Sequence, residues 1–479
     1  MTLGQLFSGI TDIPQELTER VVSGVTSDNR EVEPGFLFVC VKGRSFDGHS
    51  VAASMLEKGA CAVVTERPLG LPAEICVNES RRLYPELLSA FYGRPTQKLC
   101  LGAVTGTNGK TTTVTLLYNM FRSLGHECGL LSTIANYVGD KMVETSNTTS
   151  DPVTINSLLS DMLKAGCEYC FMEVSSIGVD QQRTAGLEFK AGIFSNLTHD
   201  HLDYHGTFAN YLRCKQRFFD ALPEDAVAIT NADDRNGMIM VQNTKARVVT
   251  YSCRSIADHR CKVMEESLEG MLLNIDGTEV WTRLCGAHNA CNLLAIYSTA
   301  VELGIPADKA LIALSTLTPA KGRLEVIPGP DGRNIVIDYA HTPDALENVL
   351  KTLRDVEPKS ELVCLFGCGG DRDRGKRPEM GAVAGKLADR IFLTSDNSRS
   401  ERTEDIIEDI KAGIGTGAAS KVICIPDRKE AIRAAIMLSS KGATILLAGK
   451  GHETYQIIGG EKRHFDEREI VEEVIKSLV

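Results

Sequence analysis

The sequence carries its reactive residues in short polar clusters, each placed directly after an apolar or β-branched run. Gly106-Thr107-Asn108-Gly109-Lys110-Thr111-Thr112 follows a strand-like stretch at 99–104 and opens a helical pattern at about 111–124. Glycines in such a loop let backbone N–H groups close around phosphate oxygens, and the helix N-terminus adds partial positive charge. Lys110 can then reach the β and γ phosphates of a nucleotide, and Thr111 can ligate Mg²⁺. The common spacing of this loop wants glycine at position 104, where the chain has Val104, so the match is to a variant.

Glu173, in Glu173-Val174-Ser175-Ser176, ends another apolar run. A buried carboxylate there is costly unless a metal or a donor relieves it, and a simple turn cap is the competing reading. Asn196 and His201, in Asn196-Leu197-Thr198-His199-Asp200-His201, divide in the same way between ligands and satisfied loop groups. Lys215 falls in a helical stretch at 208–219, where taken alone it reads as a solvated lysine. Gly286-Ala287-His288-Asn289-Ala290-Cys291-Asn292 opens an apolar helix, and Asn289 competes between ligand and N-cap. Four further clusters follow: Asp338-Tyr339-Ala340-His341, Gly367-Cys368-Gly369-Gly370-Asp371-Arg372, Ser395-Asp396-Asn397-Ser398-Arg399 and Gly449-Lys450-Gly451-His452-Glu453. The tract 371–377 places four basic residues after a strand, with a solvated charged loop as the alternative. Arg399 is more specific because it shares its strand end with Asp396 and Asn397.

Clusters of this kind need strands to carry them, and open α/β sheets bind ligands beyond the carboxyl ends of their strands. The first hundred residues alternate short runs at 36–41, 60–65 and 74–77 with a helical stretch at 51–57, and Gly93-Arg94-Pro95-Thr96 breaks the unit. Strands are expected next at 99–104, 169–174, 191–196, 226–231 and 247–251. The last part repeats strand and helix most regularly, with strands at 334–339, 362–366, 390–394, 422–425 and 444–447 between helical patterns at 345–354, 377–387, 404–412 and 429–438. That repetition requires a mostly parallel sheet with helices on its faces. The expected organisation is α/β in three domains: 1–98, a central nucleotide-binding domain of P-loop type at 99–326, and a Rossmann-like domain at 327–479.

With 479 residues, 43% hydrophobic and 24% charged, the composition is that of an ordinary globular protein of two or three domains. A net charge of −11 leaves no general basic field for nucleic acid, so anionic ligands must meet local basic clusters. The 15 cysteines sit mostly singly in apolar runs, where a small buried thiol packs like alanine, and a zinc loop is not expected. Neither a signal-like start nor an apolar run of about 20 residues is present, and a cytoplasmic protein without membrane insertion is expected.

Together these residues resemble the ATP-dependent Mur ligases, and within them the branch that adds the third residue of the peptidoglycan stem peptide. The similarity runs through Thr26-Ser27-Asp28-Asn29-Arg30, the loop 106–112, Asn147-Thr148-Thr149, the run 172–176, residues 196–205, Gly286-Ala287-His288-Asn289, Lys321-Gly322-Arg323-Leu324-Glu325, Asp338-Tyr339-Ala340-His341-Thr342-Pro343 and Gly449-Lys450-Gly451-His452-Glu453. The resemblance implies that the first domain binds a UDP-muropeptide, touching Ser27, Asn29, Asn147, Thr148, Thr149, Ser175, Gln181 and Arg183. It implies ATP on Gly106, Thr107, Asn108, Gly109, Lys110, Thr111 and Thr112, with Asn289 and Asn292 near the adenine and Arg323 and Asp338 at the domain junction. Lys215 matches a lysine carried as a carbamate, which would hold Mg²⁺ with Thr111 and Glu173; Lys110, Lys215, Glu173 and His201 form the implied catalytic set. Arg372, Asp396, Asn397, Ser398, Arg399, Gly449 and Glu453 would bind the incoming amino acid. Two positions depart from the family pattern: Asn29 where Ser is usual, and Ser398 where Pro is usual.

The implied reaction joins meso-diaminopimelate to UDP-N-acetylmuramoyl-L-alanyl-D-glutamate through an acyl phosphate, in a monomeric enzyme. L-Lysine as the added residue, a folylpolyglutamate synthetase and a nucleotide switch are the alternatives. Thr111 after the lysine, where folylpolyglutamate synthetases tend to have Gly, and the ordered third domain argue against the last two.

Overall fold

The computed structural model describes residues 1–43, 46–145 and 147–478, with Asp203 by its backbone alone. In the first domain the strands Gly24–Thr26, Phe36–Val39, Ala62–Thr65 and Glu74–Cys76 pair in chain order, all parallel. Parallel neighbours cannot be joined by a tight turn. Helix Ala52–Glu57 therefore lies between the second and third strands, and Ser80–Phe91 closes the layer over Leu37, Val39 and Val64.

The central sheet has eleven strands. The phosphate-loop strand, Cys100–Thr105, lies between Tyr169–Glu173 and Ala191–Phe194, parallel to both. The chain thus passes to one side of this strand and later returns on the other, leaving a crevice where the connections diverge. Its core residues Leu101, Ala103 and Val104 are fully buried, as expected of a sheet covered on both faces. Helices Lys110–Ser123 and Ala287–Glu302 cover one face, and Pro152–Lys164 and Phe208–Asp220 the other.

Both edges of this sheet are antiparallel, and the sequence pattern did not give them. Asn136–Val138 and Lys141–Val143 form a hairpin at one edge; His259–Ser267, Gly270–Ile275 and Thr278–Thr282 form a meander at the other. The run His259–Ser267 is largely exposed and charged, which hides it from any apolar signal.

In the third domain the strand order places Thr444–Ala448 between Asn334–Asp338 and Leu362–Phe366, all parallel. The edge strand Glu325–Pro328 pairs antiparallel with Asn334–Asp338, so the expected boundary at 326/327 falls inside an element of the third sheet. Among the described residues no helix is long and apolar enough to cross a membrane.

One buried cation ties the third sheet's functional end together. Arg428 and Glu467, 1% exposed each, pair at 2.8 Å, and the same guanidinium donates to the carbonyls of Ser395 and Ala448 at 3.1 and 2.8 Å. Those carbonyls precede Asp396 and Gly449. Burial raises the Glu467 carboxyl above its ordinary value against the pull of Arg428. Breaking such a pair from one side typically costs about 3–5 kcal/mol. Arg428→Met is expected to lower the third domain's urea stability by about that much, and Arg428→Met with Glu467→Met to recover only part, because both carbonyls stay unpaired. Full recovery in the double variant would show that the carbonyl contacts contribute nothing.

Candidate functional site

At the central crevice the loop after Cys100–Thr105 is drawn tight by its own lysine: Lys110 Nζ donates to the carbonyls of Gly106 and Thr107 at 3.0 and 2.8 Å. Gly106 has φ +154°, and a Cβ there would lie 1.9 Å from Ser195 Oγ. The neighbouring strand end completes the frame, since Asn196 Oδ1 accepts from Asn108 N at 2.9 Å and Ser195 Oγ donates to Asn108 O at 2.7 Å. Desolvation lowers the Lys110 pKa, opposed by the charges of Glu173 and Asp200.

Glu173 is buried at the end of its strand. Its Oε1 accepts from Thr111 Oγ1 at 2.9 Å and from Thr133 N at 2.8 Å, while Oε2 is buried with no partner among the described residues. An orphaned carboxylate oxygen beside a threonine hydroxyl is a hard-oxygen donor set, which suits Mg²⁺. The residues present fit that ion.

Lys215 is not the solvated lysine that its helix position suggests. It is 1% exposed, donates to Gly106 O at 2.7 Å and stands 5.0 Å from the Tyr211 ring centre. Burial first, and nearby Lys110 second, push its pKa well below the ordinary lysine value. A neutral amine is the form that reacts with carbon dioxide. His201, in a left-handed backbone conformation at φ +54°, is partly exposed with Nε2 3.5 Å from Asp200.

A second concavity, of about 220 Å³, opens between the first two domains. Ser27, Asn147, Gln181 and Arg183 line it, as the sequence led us to expect, together with Arg81, Tyr84 and Asp151, which it did not mark. Arg81 and Tyr84 lie on a helix whose apolar spacing reads only as packing. Thr149 is buried behind the wall, where its hydroxyl bonds Glu173 O at 2.9 Å and its carbonyl accepts from Arg183. Ser175 caps helix Ser176–Asp180, and Thr148 Oγ1 accepts from Thr133 Oγ1 at 3.1 Å. Asn29 lies half-buried, its carbonyl accepting from Lys58 Nζ at 2.9 Å.

Asn289 is not an N-cap. Gly286 occupies that position, and Asn289 Nδ2 donates to Cys285 O at 2.7 Å. Asn292 packs against the phosphate loop, where a Cβ on Gly109 would meet its Oδ1 at 2.5 Å.

In the third domain Lys450 is the centre that sequence reasoning passed over. Its ammonium, 0% exposed, lies 3.4 Å from Asp396, 3.1 Å from Glu453 and 3.2 Å from Asn397 Oδ1, and donates to Tyr455 O at 2.8 Å. Asp396 and Glu453, which the resemblance implies bind the incoming amino acid, each already share this internal ammonium. Against the burial that would raise it, Lys450 and Arg428 hold the Asp396 carboxyl below its ordinary value. Asn397 is fully engaged, with Nδ2 on Glu453 at 2.9 Å and Oδ1 also accepting from Ile457 N at 2.9 Å. Its partner segment, the hairpin Tyr455–Ile458 and Glu461–His464, gave no clear strand pattern.

Arg399 turns at φ +51° and donates to Gly370 O at 2.7 Å. Its guanidinium and the Arg372 side chain both flank Gly369, while Ser398 is buried with its hydroxyl unpartnered. The basic tract is divided rather than uniform. Arg372 and Arg374 are exposed, but Arg377 is fully buried and spent on Glu401 and Asp409, each at 2.9 Å.

The domain junction is held by backbone crossing. Gly322 (φ +68°) and Gly451 (φ +53°) approach so closely that a Cβ on Gly322 would lie 2.2 Å from Gly451 C. Asp338 accepts from Leu324 N and Ala340 N at 2.7 and 2.8 Å, and the Arg323 guanidinium lies 4.7 Å from the Tyr339 ring centre. Burial pushes the imidazoles of His341 and His452 down to about 4 and about 3, so both are neutral beside this ring. From the third domain Asp344 reaches the phosphate loop, accepting from Asn108 Nδ2 at 2.8 Å and Thr198 Oγ1 at 3.2 Å.

Comparison with known proteins accounts for nearly the whole chain. Residues 21–90 match the catalytic domain of the Mur ligase family, 104–300 the Mur ligase middle domain, and 322–451 the Mur ligase glutamate ligase domain. A UDP-N-acetylmuramoyl-L-alanyl-D-glutamate--2,6-diaminopimelate ligase of Phocaeicola vulgatus is 49% identical over the full length of both chains. One of the same name from Geobacillus kaustophilus is 40% identical over 94% of each. A solved structure with that name superposes with a TM-score of 0.73 at 33% identity, covering 100% of this chain and 99% of the other. A folylpolyglutamate synthase of Mycobacterium tuberculosis shares the fold at a TM-score of 0.63 but only 17% identity, covering 78% of this chain and 92% of its own. With three family models matched in chain order and a full-length relative at 49% identity, the chain belongs to the Mur ligase family.

Proposed function

We propose that this chain is an ATP-dependent ligase that joins meso-2,6-diaminopimelate to the D-glutamate γ-carboxylate of UDP-N-acetylmuramoyl-L-alanyl-D-glutamate, as a monomer in the cytoplasm, in peptidoglycan precursor synthesis. The observation that carries this reading is the 49% identity, end to end, with a ligase of that name.

The muropeptide takes the concavity between the first two domains, where Arg81 and Arg183 offer cations to its anionic groups. ATP lies along 106–112, with Asn289 and Asn292 on the adenine side and Arg323 and Asp338 at the junction. Lys110 must exchange its two loop carbonyls for phosphate oxygens, and its charge then offsets that of the transferring group. Thr111, Glu173 and Lys215 as its carbamate would hold Mg²⁺, which supplies neutralisation of phosphoryl charge when bound. With Lys110, the proposed catalytic set is Glu173, Lys215 and His201.

The γ-carboxylate oxygen attacks the γ-phosphorus of ATP, the bond to ADP breaks, and an acyl phosphate results. The free amine of diaminopimelate then attacks the acyl carbon, and the tetrahedral intermediate expels phosphate as the nitrogen loses its proton. Docking of the third domain against the central one excludes water from the acyl phosphate. Arg399 and Arg372 flank the position for the far carboxylate of diaminopimelate, and a guanidinium pairs with a carboxylate through two parallel bonds. L-Lysine has no such carboxylate and would leave those cations facing an ammonium. The buried Lys450 holds the Asp396 carboxyl below its ordinary value and fixes the spacing of Asp396 and Glu453.

Both substrates are expected to be required for phosphate release, and kcat/KM for meso-diaminopimelate is expected to exceed that for L-lysine. Arg399→Ala should shrink that preference by about 10–100-fold, the scale of one charge-assisted contact. Equal efficiencies in the parent enzyme, or an unchanged preference in the variant, would refute the assignment. A nucleotide switch would instead hydrolyse ATP without any amino acid.

Lys215→Ala should lower the rate by on the order of 10² or more, with partial recovery in short-chain carboxylates that replace the carbamate anion. Near-normal turnover of that variant without additive would sink the carbamate reading.

A further inference from the structure

Away from these sites, three metal-ligating side chains meet. Asp233, Cys253 and Cys291 each offer one ligand atom, and the three atoms lie within 4.8 Å of one another. Asp233 and Cys253 stand just beyond the carboxyl ends of the paired parallel strands Val227–Asn231 and Arg247–Ser252, and Cys291 lies near the start of helix Ala287–Glu302. Three separate segments supply the donors, so no short sequence spacing marks them.

The carboxylate is fixed through both oxygens. Asp233 Oδ1 accepts from Ser252 Oγ at 2.6 Å and Oδ2 from Cys253 N at 2.7 Å, contacts of the kind that orient a ligating group from outside. All three residues are half-buried, which leaves an ion a path in. The two sulfurs are 3.3 Å apart. Tetrahedral coordination with metal–sulfur bonds of about 2.3 Å needs roughly 3.8 Å between them, a shift of about half an ångström. A disulfide needs about 2.05 Å, a larger movement in the other direction, and gives Asp233 no part.

We propose that Asp233, Cys253 and Cys291 bind a borderline-soft divalent cation of the zinc class, with water as fourth ligand. Mg²⁺ is not the occupant, because thiolates select softer ions. The Cys253 thiol is pushed up chiefly by the neighbouring Cys261 and the Cys291 thiol by Cys253, so both enter as thiols and binding releases two protons. Cys291 directly precedes Asn292, whose amide abuts Gly109, so the cation ties the helix that contacts the phosphate loop to two strand ends. This inference does not depend on which amino acid the ligase adds.

The test needs the full reduced chain, Zn²⁺ in about one equivalent and Mg²⁺ present throughout. Alkylation by N-ethylmaleimide, mapped by peptide mass, should slow about tenfold or more at Cys253 and Cys291 and stay unchanged at the exposed Cys76 and Cys424. Co²⁺ in place of Zn²⁺ should give a near-ultraviolet sulfur-to-metal band that Cys253→Ser and Cys291→Ser each abolish. Ser252→Ala, which keeps all three ligands, should weaken Zn²⁺ binding by about tenfold. Unchanged alkylation with Zn²⁺ in the unsubstituted protein, equal protection of every cysteine, or a band that survives both serine variants would overturn the proposal.

Discussion

Everything polar in this molecule is governed by one constraint: its parallel sheets are buried on both faces, so charge can enter only where the strands end. Cys100–Thr105, Tyr169–Glu173 and Ala191–Phe194 run side by side, and their carboxyl ends deliver the phosphate loop, Glu173 and Asn196 to one crevice. In the third domain Asp338, Ala448 and Phe366 end neighbouring strands and deliver the junction aspartate, the Lys450 loop and the Gly369 loop. The order of the strands, with a later strand inserted between two earlier ones, brings together residues far apart in sequence.

Charge brought to those ends must be compensated there, and the chain does so with buried cations. Lys450 is shared between Asp396 and Glu453, Arg428 serves Glu467 and two strand-end carbonyls, and Arg377 serves Glu401 and Asp409. Breaking any of these from one side strands a buried charge, which is why they fix geometry as much as they stabilise. The exceptions are informative. Among the described residues Glu173 keeps one oxygen unpaired, and the buried Lys215 bonds its amine to a backbone carbonyl rather than to a carboxylate. Those two incomplete compensations sit on either side of the phosphate loop.

What was legible in the sequence is what the strand-end rule makes local. Apolar runs followed by polar residues marked Cys100–Thr105, Tyr169–Glu173 and Ala191–Phe194 but missed the parallel strand Cys128–Leu131, and of the eight residues implied for the muropeptide Ser27, Asn147, Gln181 and Arg183 line one concavity. Residues whose role depends on tertiary surroundings were not legible. Lys215 and Arg377 look like solvated helix charges in a one-dimensional pattern, and only packing buries them. Lys450 lies inside a glycine-rich run whose partners come from the 396–397 and 453–455 segments. The antiparallel strand His259–Ser267 escaped because it is strongly charged, the hairpin Asn136–Val138 and Lys141–Val143 because its strands are only three residues long, and Arg81 and Tyr84 because an amphipathic helix explains them without a ligand.

Asp344 shows how the domains' relative position and the phosphate loop are linked. Its carboxylate, contributed by the third domain, accepts from Asn108 and Thr198, donors that belong to a crevice built to receive anions. Burial raises its pKa above the ordinary carboxylate value, and those two hydrogen bonds only partly offset that. With ATP as substrate, phosphate charge would enter the same surroundings, where two anions cannot both be desolvated without cost. The third domain must then either move Asp344 away or hold it protonated. Movement is the cheaper course, because the contacts between these domains at this point are a few side-chain hydrogen bonds, each contributing about 1 kcal/mol. Meanwhile the Gly322–Gly451 crossing, a steric contact between backbones, resists separation of the linker from the Lys450 loop. Breaking the Asp344 contacts would therefore turn the third domain about that crossing, with the Lys450 loop still held against the linker.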